Sequence, residues 1–267
     1  MKIPVVDNKG KELSKKDLPK QFEEQVRDDL IYRAVVTIQA NSRQPYGSDP
    51  EAGMKVSAKL SRRRRNYKGA YGKGIARTPR KTMSHRGTQF NWTGALAPNT
   101  VGGRRAHAPS ADRIWDKKLN IKERRKAICS ALAATVQKDI VTARGHVLPA
   151  NFPFILSNDV EKIEKTKDVV QLLLDLGFKA ELVRTADKKI RAGKGKNRAR
   201  PYRVKKSILF VVSKKCKLND SAFNISGVDI VTPTHLNAEL LAPGCHAGRL
   251  TLYTEGAIDE IAKMFKY

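Results

Sequence analysis

The sequence predicts an α/β fold: an open, mostly parallel sheet with helices on its faces and one long basic excursion. Three observations carry this. Short β-branched and aromatic runs alternate with stretches of helical periodicity, as strands joined by covering helices do. Nearly all the excess positive charge sits in two segments, leaving the rest close to neutral. The widest gap between predicted elements coincides with the densest of those segments.

The elements follow in order. Phe22, Val26, Leu30, Ile31, Ala34, Val35 and Ile38 recur at three- and four-residue steps, which predicts an amphipathic helix over 20–41. Ile128, Ala131, Leu132 and Val136 share one face of a second helix over 121–140. "NFPFILS" (151–157) reads as a short buried strand. A third helix runs over 165–176, with Gly177 placed to end it. "SILFVVS" (207–213) is apolar without alternation, as in a strand covered on both faces, and "VDIVTP" (228–233) repeats the pattern. Thr232 and Pro233 then suit a helix start. "RLTLYT" (249–254) is the last strand, and Thr254 caps a closing helix with Glu255 and Asp259 near its positive end. So few strands predict a small sheet.

The 267 residues carry 53 Lys and Arg against 26 Asp and Glu, a net charge of +27. Solubility needs far less, so a polyanionic partner is expected. Residues 1–51 balance nine basic against nine acidic side chains, whereas 52–111 hold 14 basic and no acidic ones. Residues 112–187 hold 14 against 11, 188–219 hold 13 against none, and 220–267 hold three against six. This divides the chain into a globular body (1–51 and 112–267), an extended basic loop inserted in it (52–111) and a second basic loop (188–206). The long loop has little apolar periodicity. Ordering it costs about 1–2 kcal/mol per residue, which its few apolar side chains do not offset, so it is expected to be flexible until a partner orders it.

The residue types in these segments point to RNA. Arg62, Arg63, Arg64 and Arg65 can face several phosphates at once, and Lys68, Lys73, Arg77, Arg80, Lys81, Arg86, Arg104 and Arg105 extend the supply. Tyr67, Tyr71, Phe90 and Trp92 lie among them and offer faces for unstacked bases. The second loop repeats the mixture with Arg191, Lys194, Lys196, Arg198, Arg200, Tyr202 and Arg203. Neither "GKGK" nor "GAYGKG" has the context of a nucleotide-binding turn. The basic segments hold no carboxylates to position a nuclease metal. His85, His107, His146, His235 and His246 are scattered, and Cys129, Cys216 and Cys245 form no zinc spacing or disulfide framework. They read as packing or RNA-contacting residues. The cysteine usage fits a reducing cytosol, and no cofactor is expected. No apolar run has the length of a membrane span, and the N-terminus lacks the apolar core of a secretory signal. Three readings stay open on the residues alone: a structural RNA binder, an RNA-acting enzyme with an α/β catalytic body, and a free regulatory RNA-binding protein.

Several motifs carry a resemblance over nearly the whole chain: "RTPRK" with "HRGT", "GGRRAHAP", the run from Trp115 through "KLNIKERRKAICSALAAT", and "RAGKGKNRARPYR". The sequence resembles the large-subunit ribosomal protein L-four family in its archaeal and eukaryotic branch. Its closing helix without a long basic extension suggests the archaeal form. The resemblance implies a Rossmann-like body on the surface of the large subunit, in the cytoplasm, and a role in subunit assembly. It implies that the long loop penetrates large-subunit ribosomal RNA, with Arg62 to Arg65, Arg104 and Arg105 gripping RNA along its arms. It further implies that residues 67–86 approach the polypeptide exit tunnel, near the nascent polypeptide and the hairpin of ribosomal protein L-twenty-two.

Overall fold

Ile3, Val5 and Val6 are buried along strand β1 (Lys2–Val6), which pairs antiparallel with the polar strand β2 (Glu12–Asp17). Neither strand is announced by its sequence, because β1 is short and β2 has no apolar face. The computed structural model describes residues 1–264 and divides into two units: residues 1–42 with those from Asp116 on, and Arg43–Trp115.

The first helix, α1 (Asp28–Asn41), is shorter than the periodicity predicts. Lys20–Phe22 forms a single 3-10 turn after Pro19, and Phe22 leaves the helical register to meet Tyr253 edge-on at 5.2 Å. The Arg27 amide donates to Ser130 Oγ at 2.7 Å, and Asp28 and Asp29 place negative charge on the first turn. In the second unit, β3 (Arg80–Arg86) and β4 (Gln89–Gly94) make an antiparallel hairpin.

The predicted second helix is two: α2 (Ile121–Val136) and α3 (Lys138–Ala143), parted by extended backbone at Gln137 (φ −83°, ψ 111°). From Ala127 to Val136 every residue of α2 is buried, and its small side chains let α1 pack closely. Strand β5 is only Ile155–Leu156, since Pro153 supplies no ladder donor to the predicted run. Helix α4 (Thr166–Asp175) ends as expected: Gly177 has φ +85°, its amide donates to the Leu174 carbonyl at 3.0 Å, and that of Phe178 donates to Leu173 at 2.9 Å. An unpredicted helix, α5 (Lys179–Ala186), follows.

The second basic segment forms a small hairpin of β6 (Lys189–Ile190) and β7 (Tyr202–Arg203). Then come β8 (Leu209–Val211), α6 (Leu218–Ala222), β9 (Asp229–Val231), α7 (Ala238–Leu241), β10 (Thr251–Thr254) and α8 (Glu255–Lys263). Thr232 and Pro233 begin a 3-10 turn instead of an α-helix, with the Thr232 hydroxyl bonded to that of Thr234. Thr254 does cap α8, accepting from the Ala257 amide at 3.4 Å, while Asp259 pairs with Lys16 of β2 at 2.8 Å.

The sheet has six strands in the order β2-β1-β5-β10-β8-β9, parallel except for β1 with β2. It is wider than the predicted strands suggest, and it is the expected α/β architecture. Leu209 and Val211 face a core with Ile31, Val35, Leu132 and Ile258, while Phe210 and Val212 face another with Leu173, Phe178 and Leu218. At the point where the chain leaves the body and returns, Asn41 Nδ2 donates to the Lys117 carbonyl (3.2 Å) and the Lys117 amide donates to Asn41 Oδ1 (2.8 Å).

Candidate nucleic-acid interface

An open α/β sheet binds ligands beyond the carboxyl ends of its strands. Here Glu161 fills that place, accepting from the Ser213 amide (2.8 Å), the Ser213 hydroxyl (2.7 Å) and the Thr254 hydroxyl (2.7 Å). Asn158 Oδ1 takes the Gly256 amide at the start of α8, at 2.8 Å. Donors suited to a nucleotide phosphate are thus committed to the chain's own side chains. Among the described residues, no group of three or more His, Cys, Asp and Glu is placed to hold a metal ion, and no helix is long and apolar enough to cross a membrane.

The second unit gathers the aromatic candidates. The β3–β4 turn is made by Gly87 (φ +55°) and Thr88, and the register sets His85 opposite Phe90 and Thr82 opposite Trp92, with a bulge at Met83. Phe90 and Trp92, two residues apart, share a strand face and stack at 4.9 Å with planes 19° apart. Tyr67 meets Phe90 edge-on at 5.2 Å. Lys73 Nζ lies 5.2 Å from the Phe90 ring and 5.6 Å from that of Trp92, while the Arg80 guanidinium is 5.9 Å from Trp92. Arg77 covers Tyr71 at 4.7 Å. The fold therefore joins aromatics far apart in sequence into one layered cation-aromatic surface, able to stack bases.

Arg62 to Arg65 are exposed, and left-handed backbone at Arg65 (φ 54°) and Lys68 (φ 58°) brackets a turn around Asn66, whose side chain bonds Ser61 Oγ at 2.8 Å. This turn splays the arginines outward. Lys81, Arg86, Arg104 and Arg105 are also exposed, whereas Lys68, Arg80 and Trp92 are half-buried. In the second basic segment, Arg191 directs its donors onto loop carbonyls, Nε to Arg200 (3.2 Å) and Nη2 to Tyr202 (3.4 Å). It shapes the loop, leaving Lys194, Lys196, Arg198, Arg200, Tyr202 and Arg203 exposed. The structure brings the two sets together separately, each within its own segment.

Among the described residues, none of these candidate cations is ion-paired with a carboxylate; the ion pairs fall on other residues, such as Lys55 with Asp49. One cluster escaped the sequence reading. Arg43 (3.8 Å) and Arg113 (4.3 Å) both cover the Trp115 ring, on which Tyr46 stacks at 5.8 Å. The only local signal is an arginine two residues before a tryptophan, in a stretch whose acidic residues mask it.

The second loop is anchored by a buried charge network. Glu181 accepts from Arg184 (2.7 Å), Ser207 Oγ (3.0 Å) and the Val147 amide (3.1 Å), with His146 Nδ1 at 2.8 Å. Burial pushes its carboxyl up, but the bonds from Arg184, His146 and Val147 outweigh this and hold it near about 2. Ser207 begins the run into β8, so the network ties the returning arm of the loop to α5.

The model described as "Ribosomal protein L4/L1 family" matches residues 16–264. The chain is 42% identical over 265 residues to the large ribosomal subunit protein uL4 of Nanoarchaeum equitans, covering 98% of this chain and 97% of that protein. It is 41% identical to that of Archaeoglobus fulgidus (98% and 99% covered) and 40% identical to that of Halobacterium salinarum (98% and 100%). With both basic segments and nearly the whole body inside these matches, the chain belongs to the Ribosomal protein L4/L1 family.

Proposed function

We propose that this protein is an RNA-ordered strut of the large ribosomal subunit. As a member of its family it is a structural ribosomal constituent that binds ribosomal RNA in the cytoplasmic ribosome, and it is not an enzyme. The observation that carries the strut reading is the set of cations left without carboxylate partners, displayed beside stacked aromatics on the Arg43–Trp115 unit. A cation without an internal partner gains most from a phosphate, and each neutralised phosphate releases counterions.

In this reading residues 52–111 penetrate the RNA and 188–206 make a second contact from the body. Arg62 to Arg65, Arg104 and Arg105 hold backbone phosphates, and Tyr67, Tyr71 and Trp92 take bases. The segment 67–86 reaches the exit tunnel, beside the nascent polypeptide and the hairpin of ribosomal protein L-twenty-two. The insertion stays flexible until RNA orders it, since its apolar contacts are few. The test is a chain lacking 52–111, expressed in cells beside the parent. The body is expected to fold and to be absent from mature large subunits; normal incorporation overturns the strut.

A further inference from the structure

Between α3, α5, β7 and the turn at 243–247 lies a cavity of about 820 Å³. Arg144, Arg184, Arg203 and Lys206 line it with His146 and His246, against a single carboxylate, Asp28. Arg144 is half-buried and donates to the carbonyls of Pro243 (2.6 Å) and His246, and among the described residues no carboxylate pairs with it. Burial, then the charges of Arg249 and Arg184, push its guanidinium down to about 10. A desolvated cation beside two others lacks compensating negative charge. Glu181 does not supply it, being engaged by His146, Arg184, Ser207 and Val147. Lys206 is already paired with Asp229 at 2.8 Å.

His146 is an independent pointer to a ligand. It is 5% exposed, its Nδ1 lies 2.8 Å from Glu181, and its Nε2 is buried with no hydrogen-bond partner. With Nδ1–H directed to a carboxylate, the ring donates at Nε2 once it takes up a proton. An anion in the cavity is the partner that stabilises that form.

We propose that this cavity is an anion site for one phosphate group, gripped by Arg144 and Arg203 with His146 donating from behind. Guanidinium groups match phosphate oxygens in bidentate geometry, which favours this anion class. The proposal rests on the RNA-binding reading for its source, a backbone phosphate of ribosomal RNA; free inorganic phosphate shares the chemistry. It gives the body its own RNA grip, built on residues outside both basic loops except for Arg203 and Lys206.

The experiment follows the His146 ring nitrogens by NMR in the labelled full chain, adding a large-subunit RNA fragment or, separately, inorganic phosphate at low salt. Either ligand is expected to shift Nε2 and to raise the His146 titration midpoint, against burial and the charges of Arg184 and Arg144 and in the same direction as Glu181. Arg144→Gln and Arg203→Gln are each expected to reduce the log-log salt slope of RNA affinity by about 0.7. Because Arg144 also holds the 243–246 turn, the exposed Arg203→Gln variant, checked for unchanged unfolding, keeps the test independent of folding. Shifts with phosphate but not with bound RNA support the site and assign it to the free ion. If the chain fails to bind RNA, the strut reading falls and the phosphate arm alone decides the cavity. His146 signals unmoved by both ligands, or RNA-induced His146 shifts with unchanged slopes in both variants, overturn the proposal.

Discussion

Glu161 bonds Ser213 twice, taking its amide at 2.8 Å and its hydroxyl at 2.7 Å, and Thr254 adds a third bond at 2.7 Å. Glu161 follows β5, Ser213 follows β8 and Thr254 ends β10, so one side chain ties three neighbouring strands together. Glu161→Ala leaves these donors short of an acceptor and is expected to cost about 1–3 kcal/mol, with Glu161→Gln costing less. A urea midpoint equal to the parent's for the alanine variant would show that the tie carries no stability.

Acid should weaken the body in two stages. His146 is lowered below its ordinary value, chiefly by burial, so the unfolded chain takes up this proton first as pH falls through about 6.5. Glu181 is held down at about 2 against an ordinary value of 4.5. Its contribution is complete above the unfolded value and is lost as pH falls from there toward the folded one, about 3 kcal/mol in all. Glu181→Gln should flatten the lower stage of a stability-against-pH curve; an unchanged curve refutes the assignment.

Arg249 is fully buried, donating to the carbonyls of Ser207 (2.8 Å), Leu240 (3.1 Å) and Gly227 (3.3 Å) and to Asp229 (2.5 Å). Arg249→Met fills most of the volume but takes a donor from each of three carbonyls and leaves Asp229 with Lys206 alone. A loss of about 3–5 kcal/mol is expected by chemical denaturation. Arg249→Lys should recover only part of it, because one ammonium cannot serve four acceptors spread around a planar fork.

RNA binding should separate into a salt-dependent and a salt-independent part. Replacing Arg62 to Arg65 by Gln is expected to reduce the log-log salt slope by about 0.7–0.9 for each phosphate lost. Trp92→Ala should weaken binding by about 1–3 kcal/mol if one base stacks there, leaving the slope nearly unchanged. Filter binding to a large-subunit RNA fragment across a salt series reads both. A tryptophan variant with parental affinity removes the stacking role.

The sequence legibly marked what depends on local pattern. Alternation of runs found β5, β8, β9 and β10, and Gly177 and Thr254 ended and capped the helices predicted for them. Breaks imposed from outside were not legible. Phe22 leaves its helical register because Tyr253, more than two hundred residues away, receives it, and Gln137 interrupts a periodicity that runs through it. The charged residues of the candidate interface were readable from composition, but their grouping was not. The Tyr67–Phe90–Trp92 cluster needs the hairpin register, and the His146–Glu181–Arg184 network needs α5 to pack on the turn after α3.

The reciprocal bonds between Asn41 and Lys117 make departure and return a single address on the body. Loop closure grows only with the logarithm of length, about 0.6 kcal/mol for each doubling. Reach is thus uncoupled from the core: the insertion can lengthen or shorten while the sheet of the body keeps the same sequence requirements.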